Sequence, residues 1–90
     1  MNRAETLEAA ALCVCGQREQ DYGSPEHNFE RIAQLWSAYT AHTFTPKDVA
    51  AMLALLKIAR IASGHAKADN WVDLAGYAAC GCEIETEART

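Results

Sequence analysis

Apolar residues recur every three or four positions along most of this chain, and clusters of turn-forming residues divide the pattern into four segments. That period is typical of amphipathic α-helices, and nowhere do apolar and polar residues alternate for long enough to indicate a strand. In the second segment Phe29, Ile32 and Trp36 follow the period and are expected in the core, and Leu35 and Tyr39 widen this apolar stripe. The pattern therefore predicts an all-α fold with helices over approximately residues 4–20, 25–41, 46–62 and 70–87.

Capping signals mark the starts of these helices. Asn2 precedes Glu5 by three residues, which is the spacing of a capping box at the first helix. Ser24 and Thr45 are each followed directly by a proline, which is favoured at the first position of a helix. Asp69 is expected to cap the fourth helix. These start signals agree with the four segments of the apolar pattern.

The third segment is apolar almost all round. Its large apolar residues are Val49, Met52, Leu53, Leu55, Leu56, Ile58 and Ile61. A helix without a polar face is normally surrounded by other parts of the protein, so this segment is predicted to be the central, buried helix of a four-helix bundle-like fold. Lys57 and Arg60 lie together on one edge of it.

Length and composition indicate one small domain over residues 1–90. Half of the residues are hydrophobic and 22% are charged, so disorder is not expected. A domain of this size buries only about 60–65% of its surface. Since small alanine-rich bundles often complete their core by assembling, we expect a homo-oligomer, at least a dimer.

Charge and hydropathy narrow the classes of partner. The net charge is −4 and the basic residues are scattered, which argues against binding to a nucleic acid. No apolar run reaches about 18 residues, so no transmembrane helix is predicted. The apolar stretch 9–15 follows two glutamates, whereas a signal peptide begins with a basic region, so no signal peptide is predicted here. We therefore expect a cytoplasmic protein without membrane association.

The four cysteines form two Cys-x-Cys pairs, Cys13/Cys15 and Cys80/Cys82. Residues two apart on an α-helix point about 200° apart, so neither pair can chelate a metal ion as a unit. Zinc sites more often separate two cysteines by two residues in a turn. The cysteines are therefore expected to be mainly reduced thiols in the core.

A carboxylate within an apolar stripe is the strongest candidate for chemistry. Asp69 and Asp73 are four residues apart and share one face of the fourth helix, and Tyr77 follows one turn later. A buried carboxylate is costly unless a metal ion, a basic side chain or a backbone amide pairs with it. Asp73 is thus either a ligand of a metal or substrate, or the internal partner of Lys57 or Arg60.

Several short segments resemble a small family of phage and bacterial proteins of unknown function, and they cover nearly the whole chain. They are Arg18, Asp21–Gly23, Asn28-Phe29, Ile32-Ala33, Leu35-Trp36, Asp48–Ala50, Lys57–Arg60 and Asp69–Tyr77. The layout is also similar to the MazG-like all-α nucleoside triphosphate pyrophosphatases, which are oligomers of four-helix modules. Those enzymes hold Mg²⁺ on paired carboxylates of two helices and cleave a triphosphate to a monophosphate and pyrophosphate.

The MazG-like resemblance implies a magnesium site and a nucleotide site. Asp48, Asp69 and Asp73 would hold Mg²⁺ and take part in catalysis. The side chains that would contact the nucleotide are Lys57, Arg60, Tyr22, Asn28 and Tyr77. The chain departs from the family pattern in two ways: the third helix has no second carboxylate one turn after Asp48, and the two aspartates of the fourth helix are spaced i,i+4 rather than i,i+3.

Three functions are consistent with these residues. The first is a Mg²⁺-dependent nucleoside triphosphate pyrophosphohydrolase. The second is a non-catalytic protein that binds or sequesters a nucleotide, which the incomplete set of carboxylates favours. The third is a structural or protein-interaction bundle, in which Asp73 would pair internally with Lys57 or Arg60.

Overall fold

The computed structural model describes residues 1–16, 20–21, 23–64 and 67–87, with residue 87 described by its backbone alone. Over these residues the chain forms four α-helices and no strands, so the all-α prediction is confirmed for this part of the chain. We number the helices α1 (Arg3–Cys15), α2 (Pro25–Thr40), α3 (Pro46–Ala62) and α4 (Ala68–Glu87).

Side-chain caps explain where three of the helices begin. At α1 the Asn2 Oδ1 accepts a hydrogen bond from the Glu5 N–H, and the Glu5 carboxylate accepts one from the Asn2 N–H, both at 2.8 Å. At α2 the Ser24 hydroxyl accepts a hydrogen bond from the His27 N–H at 3.4 Å, and Pro25 occupies the first turn. Thr45 and Asp48 form a second capping box at α3. The predicted starts of these three helices are confirmed.

Two helix boundaries differ from the prediction. α1 ends at Cys15, before the predicted Gln20, because the backbone of Gly16 leaves the helical conformation at the C-cap. α4 begins at Ala68, so Asp69 lies inside the first turn rather than at the cap. In that position the Asp69 carboxylate still interacts favourably with the positive N-terminal end of the helix dipole.

The helices α3 and α4 form the central pair, with α1 packed on α4 and α2 packed mainly on α3. α3 and α4 run antiparallel, because Lys57 reaches Asp73 while Ala50 lies opposite Gly81. At Gly81 the helices approach so closely that an added Cβ would lie 3.4 Å from the Cβ of Ala50. The sequence therefore brings the middle of α3 against the middle of α4, where the candidate site lies.

The core lies between α2, α3 and α4. Its buried residues are Phe29, Ala33, Val49, Ala50, Cys80 and Ile84. Trp36 packs against this cluster and meets Phe44 edge to face, with ring centroids 6.1 Å apart. The predicted stripe of the second helix therefore faces the core at Phe29, Ile32 and Trp36. The prediction is wrong for its wider part, because Leu35 and Tyr39 are 64% and 92% exposed.

α3 is less buried than the sequence predicts. Within it only Val49, Ala50 and Lys57 are buried. Its exposed large apolar side chains are Met52 (40%), Leu55 (61%), Leu56 (45%) and Ile58 (47%). The prediction of a helix buried all round is wrong for a single chain, because the other helices cover one side of it. Even so, no helix in the described ranges is both long enough and apolar enough to cross a membrane.

The cysteines divide into one core residue and three surface residues. Cys80 is buried, whereas Cys13, Cys15 and Cys82 are exposed, and all are free thiols. The prediction of core thiols is therefore confirmed for Cys80 and wrong for the other three. The i,i+2 spacing accounts for the split between Cys80 and Cys82, because such residues point to nearly opposite sides of a helix.

Candidate functional site

The interior carboxylate singled out from the sequence is paired with a lysine. Lys57 Nζ lies 2.9 Å from Asp73 Oδ2, across the interface of α3 and α4. The side chain of Lys57 is 10% exposed and that of Asp73 is 37% exposed. The short contact offsets part of the cost of removing the Lys57 ammonium from water. The group that pairs with Asp73 in the structure is therefore a basic side chain, and that side chain is Lys57 rather than Arg60.

Helical spacing brings other polar groups close to this pair. Asn70 is buried and precedes Asp73 by three residues, so the two share a face of α4. Tyr77 follows Asp73 by one turn, is half-buried and packs against the core. Among the described residues, the buried polar side chains are those of Lys57 and Asn70. The polar interior of the chain is therefore concentrated between α3 and α4.

Asp73 also lines a small cavity between α1 and α4. Its volume is about 40 Å³, and its lining residues are Cys13, Val14, Val72, Asp73, Gly76 and Tyr77. α1 approaches α4 closely here, since a Cβ added at Gly76 would lie 3.1 Å from the Val14 Cγ1. A cavity of this volume can hold a water molecule, and it is far smaller than the usual pocket for a nucleotide-sized ligand.

Asp48 is engaged at the start of α3. Its Oδ2 accepts a hydrogen bond from the Thr45 N–H at 2.9 Å, and its own N–H donates to the Thr45 hydroxyl at 3.3 Å. The Thr45 N–H, followed by the Thr45 hydroxyl and the nearby Lys47 ammonium, lowers the pKa of Asp48. This carboxylate therefore serves the helix cap.

The predicted metal ligands Asp48, Asp69 and Asp73 do not come together in one chain. In the parts of the chain that the structure describes, no three His, Cys, Asp or Glu side chains form a group that could hold a metal ion. The antiparallel arrangement gives the reason. Asp69 follows the turn after Ala62, and the rise of an α-helix separates residue 48 from residue 62 by about 21 Å.

The predicted nucleotide contacts are also spread over the molecule. Asn28 is half-buried in the first turn of α2, and Arg60 is exposed near the end of α3. Tyr22 lies outside the described residues. Of the predicted substrate-binding residues, the structure brings Lys57 and Tyr77 to Asp73.

A groove that the sequence did not single out runs between the first half of α3 and the second half of α4, and Tyr77 borders both this groove and the small cavity. The volume of the groove is about 430 Å³. Small residues from both helices line it: Ala50, Ala51 and Ala54 from α3, and Ala78, Gly81 and Cys82 from α4. Lys47 and Glu85, whose Nζ and Oε1 atoms are 3.8 Å apart, lie at one end. The helical spacing of these small residues was the sequence signal for the groove.

Large apolar side chains continue this surface beyond the groove. Leu55 and Ile58 each follow a groove alanine of α3 by one turn, and Trp71 precedes Ala78 by two turns of α4. All three side chains are substantially exposed, Trp71 at 53%. We call Leu55, Ile58 and Trp71 the ridge, and the ridge and groove together the outer face. Because the helices are antiparallel, the ridge residues lie toward the same end of the pair.

Comparison with known proteins places the chain among phage proteins. A family model described as a domain of unknown function, DUF6378, matches residues 5–85. The Gene 55 protein of Mycobacterium phage L5 is 52% identical over 73 residues, which cover 80% of this chain and 47% of that protein. The Gene 55 protein of Mycobacterium phage D29 is 40% identical over 74 residues, covering 82% and 49%.

The chain thus spans about half the length of these relatives. No solved structure matches it. The resemblance to a small phage family is confirmed, whereas the comparisons do not support the likeness to MazG-like enzymes. The family match extends over both central helices and therefore includes the ion pair and the outer face. This chain belongs to the DUF6378 family, with relatives in mycobacteriophages.

Proposed function

We propose that this chain acts as a helical protein-interaction module. The observation that carries the proposal is the exposed ridge of Leu55, Ile58 and Trp71. Large apolar side chains that are exposed on neighbouring helices can form the kind of surface patch that marks an interaction site. Burying a large apolar side chain is worth roughly 1.5–3 kcal/mol, so covering all three would provide a substantial driving force for association.

The Lys57–Asp73 pair supports the proposal from the interior of the chain. An internal pair between Asp73 and a basic side chain is the arrangement expected of an interaction bundle. At 2.9 Å the Lys57 ammonium neutralises the Asp73 carboxylate through its Oδ2 atom without a ligand. A substrate or metal that used Asp73 would have to compete with this contact.

Nucleotide handling is the second candidate, and the partial exposure of Asp73 favours it. The Asp73 side chain is 37% exposed, and Asp69 lies one turn before it on the same helix. Mg²⁺ in nucleotide sites is held by one or two carboxylates together with substrate phosphates. A MazG-like pyrophosphohydrolase would therefore need a site completed by a second subunit. A binding or sequestering protein would need only Lys57 and Tyr77 as contacts.

A nucleotide panel separates the two candidates. The purified chain is mixed with each ribonucleoside and deoxyribonucleoside triphosphate in the presence of Mg²⁺ or Mn²⁺, and both pyrophosphate release and thermal shift are measured. The interaction module predicts neither release nor shift. Release that is abolished by a chelator and by Asp73→Asn would establish a hydrolase instead, and a shift without release would establish a nucleotide-binding protein.

A substitution in the ridge tests the interaction function directly. Leu55→Glu places a charge on the ridge, and Leu12→Glu makes the same change on α1, where the leucine is 74% exposed. Tagged chains are recovered from the cells that naturally produce the protein, together with a second, differently tagged copy of the chain. We expect the wild type and Leu12→Glu to retain the same bound protein and Leu55→Glu to lose it. Equal recovery by all three chains would contradict the proposal.

A further inference from the structure

We propose that the outer face binds a second copy of this chain about a two-fold axis, so that the ridge of each copy packs on the groove of the other. This inference rests on the interaction function proposed above and specifies the partner. It depends on three observations, which are the shape of the outer face, its helical spacing and the exposed area of the whole chain.

The outer face has complementary halves. The groove contributes small side chains, including Ala51 and Ala54, and the ridge contributes Leu55 and Ile58 one turn further along α3. A two-fold interface presents the same patch on both copies, so that a protrusion and its socket must lie on one surface. A two-fold axis that crosses α3 between residues 54 and 55 places Ile58 of each copy on Ala51 of the other.

The spacing along α3 suits a helix partner. Residues 51, 55, 58 and 62 are all apolar and exposed, and they are separated by four, three and four positions. This spacing keeps one stripe in contact with a facing helix. The ridge and the groove alanines carry no charge, and the Lys47–Glu85 pair at one end of the groove is exposed and remains in water. Two copies of α3 can therefore pair without burying an unpaired charge.

The exposed area of the chain is consistent with a missing partner. The chain exposes 6398 Å². A monomeric protein of its mass, 9.8 kDa, exposes about 5,200 Å². The difference of about 1,200 Å² is larger than the roughly 800 Å² that each partner buries in a standard interface. Dimerisation through the outer face would bring the exposed area close to that of an ordinary folded protein.

The first measurement is the mass of the full chain in solution by sedimentation equilibrium. We expect the wild type and Leu12→Glu to have twice the mass of one chain at micromolar concentration, and Leu55→Glu to have the mass of one. Because each substitution occurs twice in a symmetric dimer, a tenfold loss per site multiplies to a roughly 100-fold rise in the dissociation constant. A monomeric wild type, or a Leu55→Glu chain that dimerises as well as the wild type, would overturn the inference.

A charge-exchange experiment tests the ridge-on-groove arrangement. Ile58→Lys alters the ridge and Ala51→Glu alters the groove, and both positions are exposed and helical. Each variant alone should be monomeric. An equimolar mixture should form a heterodimer at least about tenfold tighter than either homodimer, because one contact becomes Lys–Glu while the other stays Ile–Ala. A mixture that fails to associate, beside a dimeric wild type, would overturn the two-fold arrangement.

The two proposals fail in different ways. If the wild type is monomeric but Leu55→Glu still loses a bound protein in cells, self-association is overturned and the interaction function stands with another partner. If Leu55→Glu changes neither the mass nor the bound proteins, both proposals are overturned. Far-UV circular dichroism establishes that each variant keeps its helices. Should Leu55→Glu unfold, the Ile58→Lys and Ala51→Glu pair decides the question.

Discussion

On α3 a charged side chain is buried and large apolar side chains are exposed, which reverses the usual arrangement. We call the side of α3 that packs on the other helices the inner side and the side that carries Leu55 and Ile58 the outer side. On the inner side Lys57 is buried against Asp73, whereas two residues earlier, on the outer side, Leu55 is exposed. Isolated soluble domains usually keep lysine in water and leucine in the core. The difference shows that the inner side is covered within one chain, while the outer side is left open for the partner that we propose.

The largest effect on stability, equalled only by truncation of Val49, is expected when the Lys57–Asp73 ion pair on the inner side is disrupted. Asp73→Asn leaves the Lys57 ammonium buried without its counter-charge. We expect a loss of about 2 kcal/mol in the free energy of unfolding, less than the roughly 3–5 kcal/mol for fully buried pairs, because water reaches the partly exposed Asp73. Urea unfolding in a Leu55→Glu background, at one protein concentration, measures it without a contribution from assembly.

The double variant Lys57→Met/Asp73→Leu sharpens this prediction. Removing both charges together leaves no unpaired group, so its stability should lie within about 1 kcal/mol of the parent chain. A double variant as unstable as Asp73→Asn would show that the pair does more than neutralise its own charges.

Val49 and Leu55 provide a matched comparison of the two sides of α3. Val49 is the fully buried side chain of the inner side, at 0% exposure, so Val49→Ala should cost about 2 kcal/mol. Leu55→Ala should change the stability of the monomer by no more than about 0.5 kcal/mol, because it removes surface that is already in water. Both are measured by urea unfolding at a concentration below the dissociation constant of any dimer. Equal costs would contradict the assignment of the outer side as open surface.

The N-terminal cap of α3 contributes to the stability of the whole helix. Thr45→Ala removes the hydroxyl that accepts from the Asp48 N–H and should cost about 1 kcal/mol of unfolding free energy. Thr45→Ser keeps the acceptor and serves as the control. If the alanine variant unfolds at the same urea concentration as the serine variant, the capping box does not stabilise α3.

The smallest effect is the acid dependence of this cap. The pKa of Asp48 is lowered in the folded chain from its ordinary value of 3.8, chiefly by the Thr45 N–H. Its contribution to stability is therefore present above that value and is lost as the pH falls through the lower, folded value. The gap in melting temperature between the wild type and Asp48→Asn should narrow as the pH falls below 3.8. A gap that is constant with pH would contradict this assignment.

The helix starts could be predicted because their signals are local. Ser24 and Thr45 cap the helices that follow them through contacts within one turn, and Asn2 does the same at α1. The C-terminus of α1 and the start of α4 have no equally strong local signal, and there the predictions were in error by a few residues. The fold class followed from the period of the apolar residues, which also depends on sequence neighbours.

The candidate site could be predicted only in part, because its contacts join separate helices. The apolar stripe around Asp73 singled out this carboxylate as one that needs a partner, but it did not choose between Lys57 and Arg60. Distances between helices depend on the antiparallel arrangement, which places Asp48 far from Asp69. The burial of α3 was mispredicted for a related reason. An apolar face has the same sequence pattern whether its own chain or another chain covers it.

The ion pair across α3 and α4 also determines how the two helices are aligned lengthwise. A slip of one helical turn would move the Lys57 ammonium about 5.4 Å along α4, away from Asp73. Such a slip would also shift the α3 half of the ridge and groove against the α4 half. The Lys57–Asp73 pair therefore favours the alignment of α3 and α4 in which the ridge and the groove have the arrangement described above.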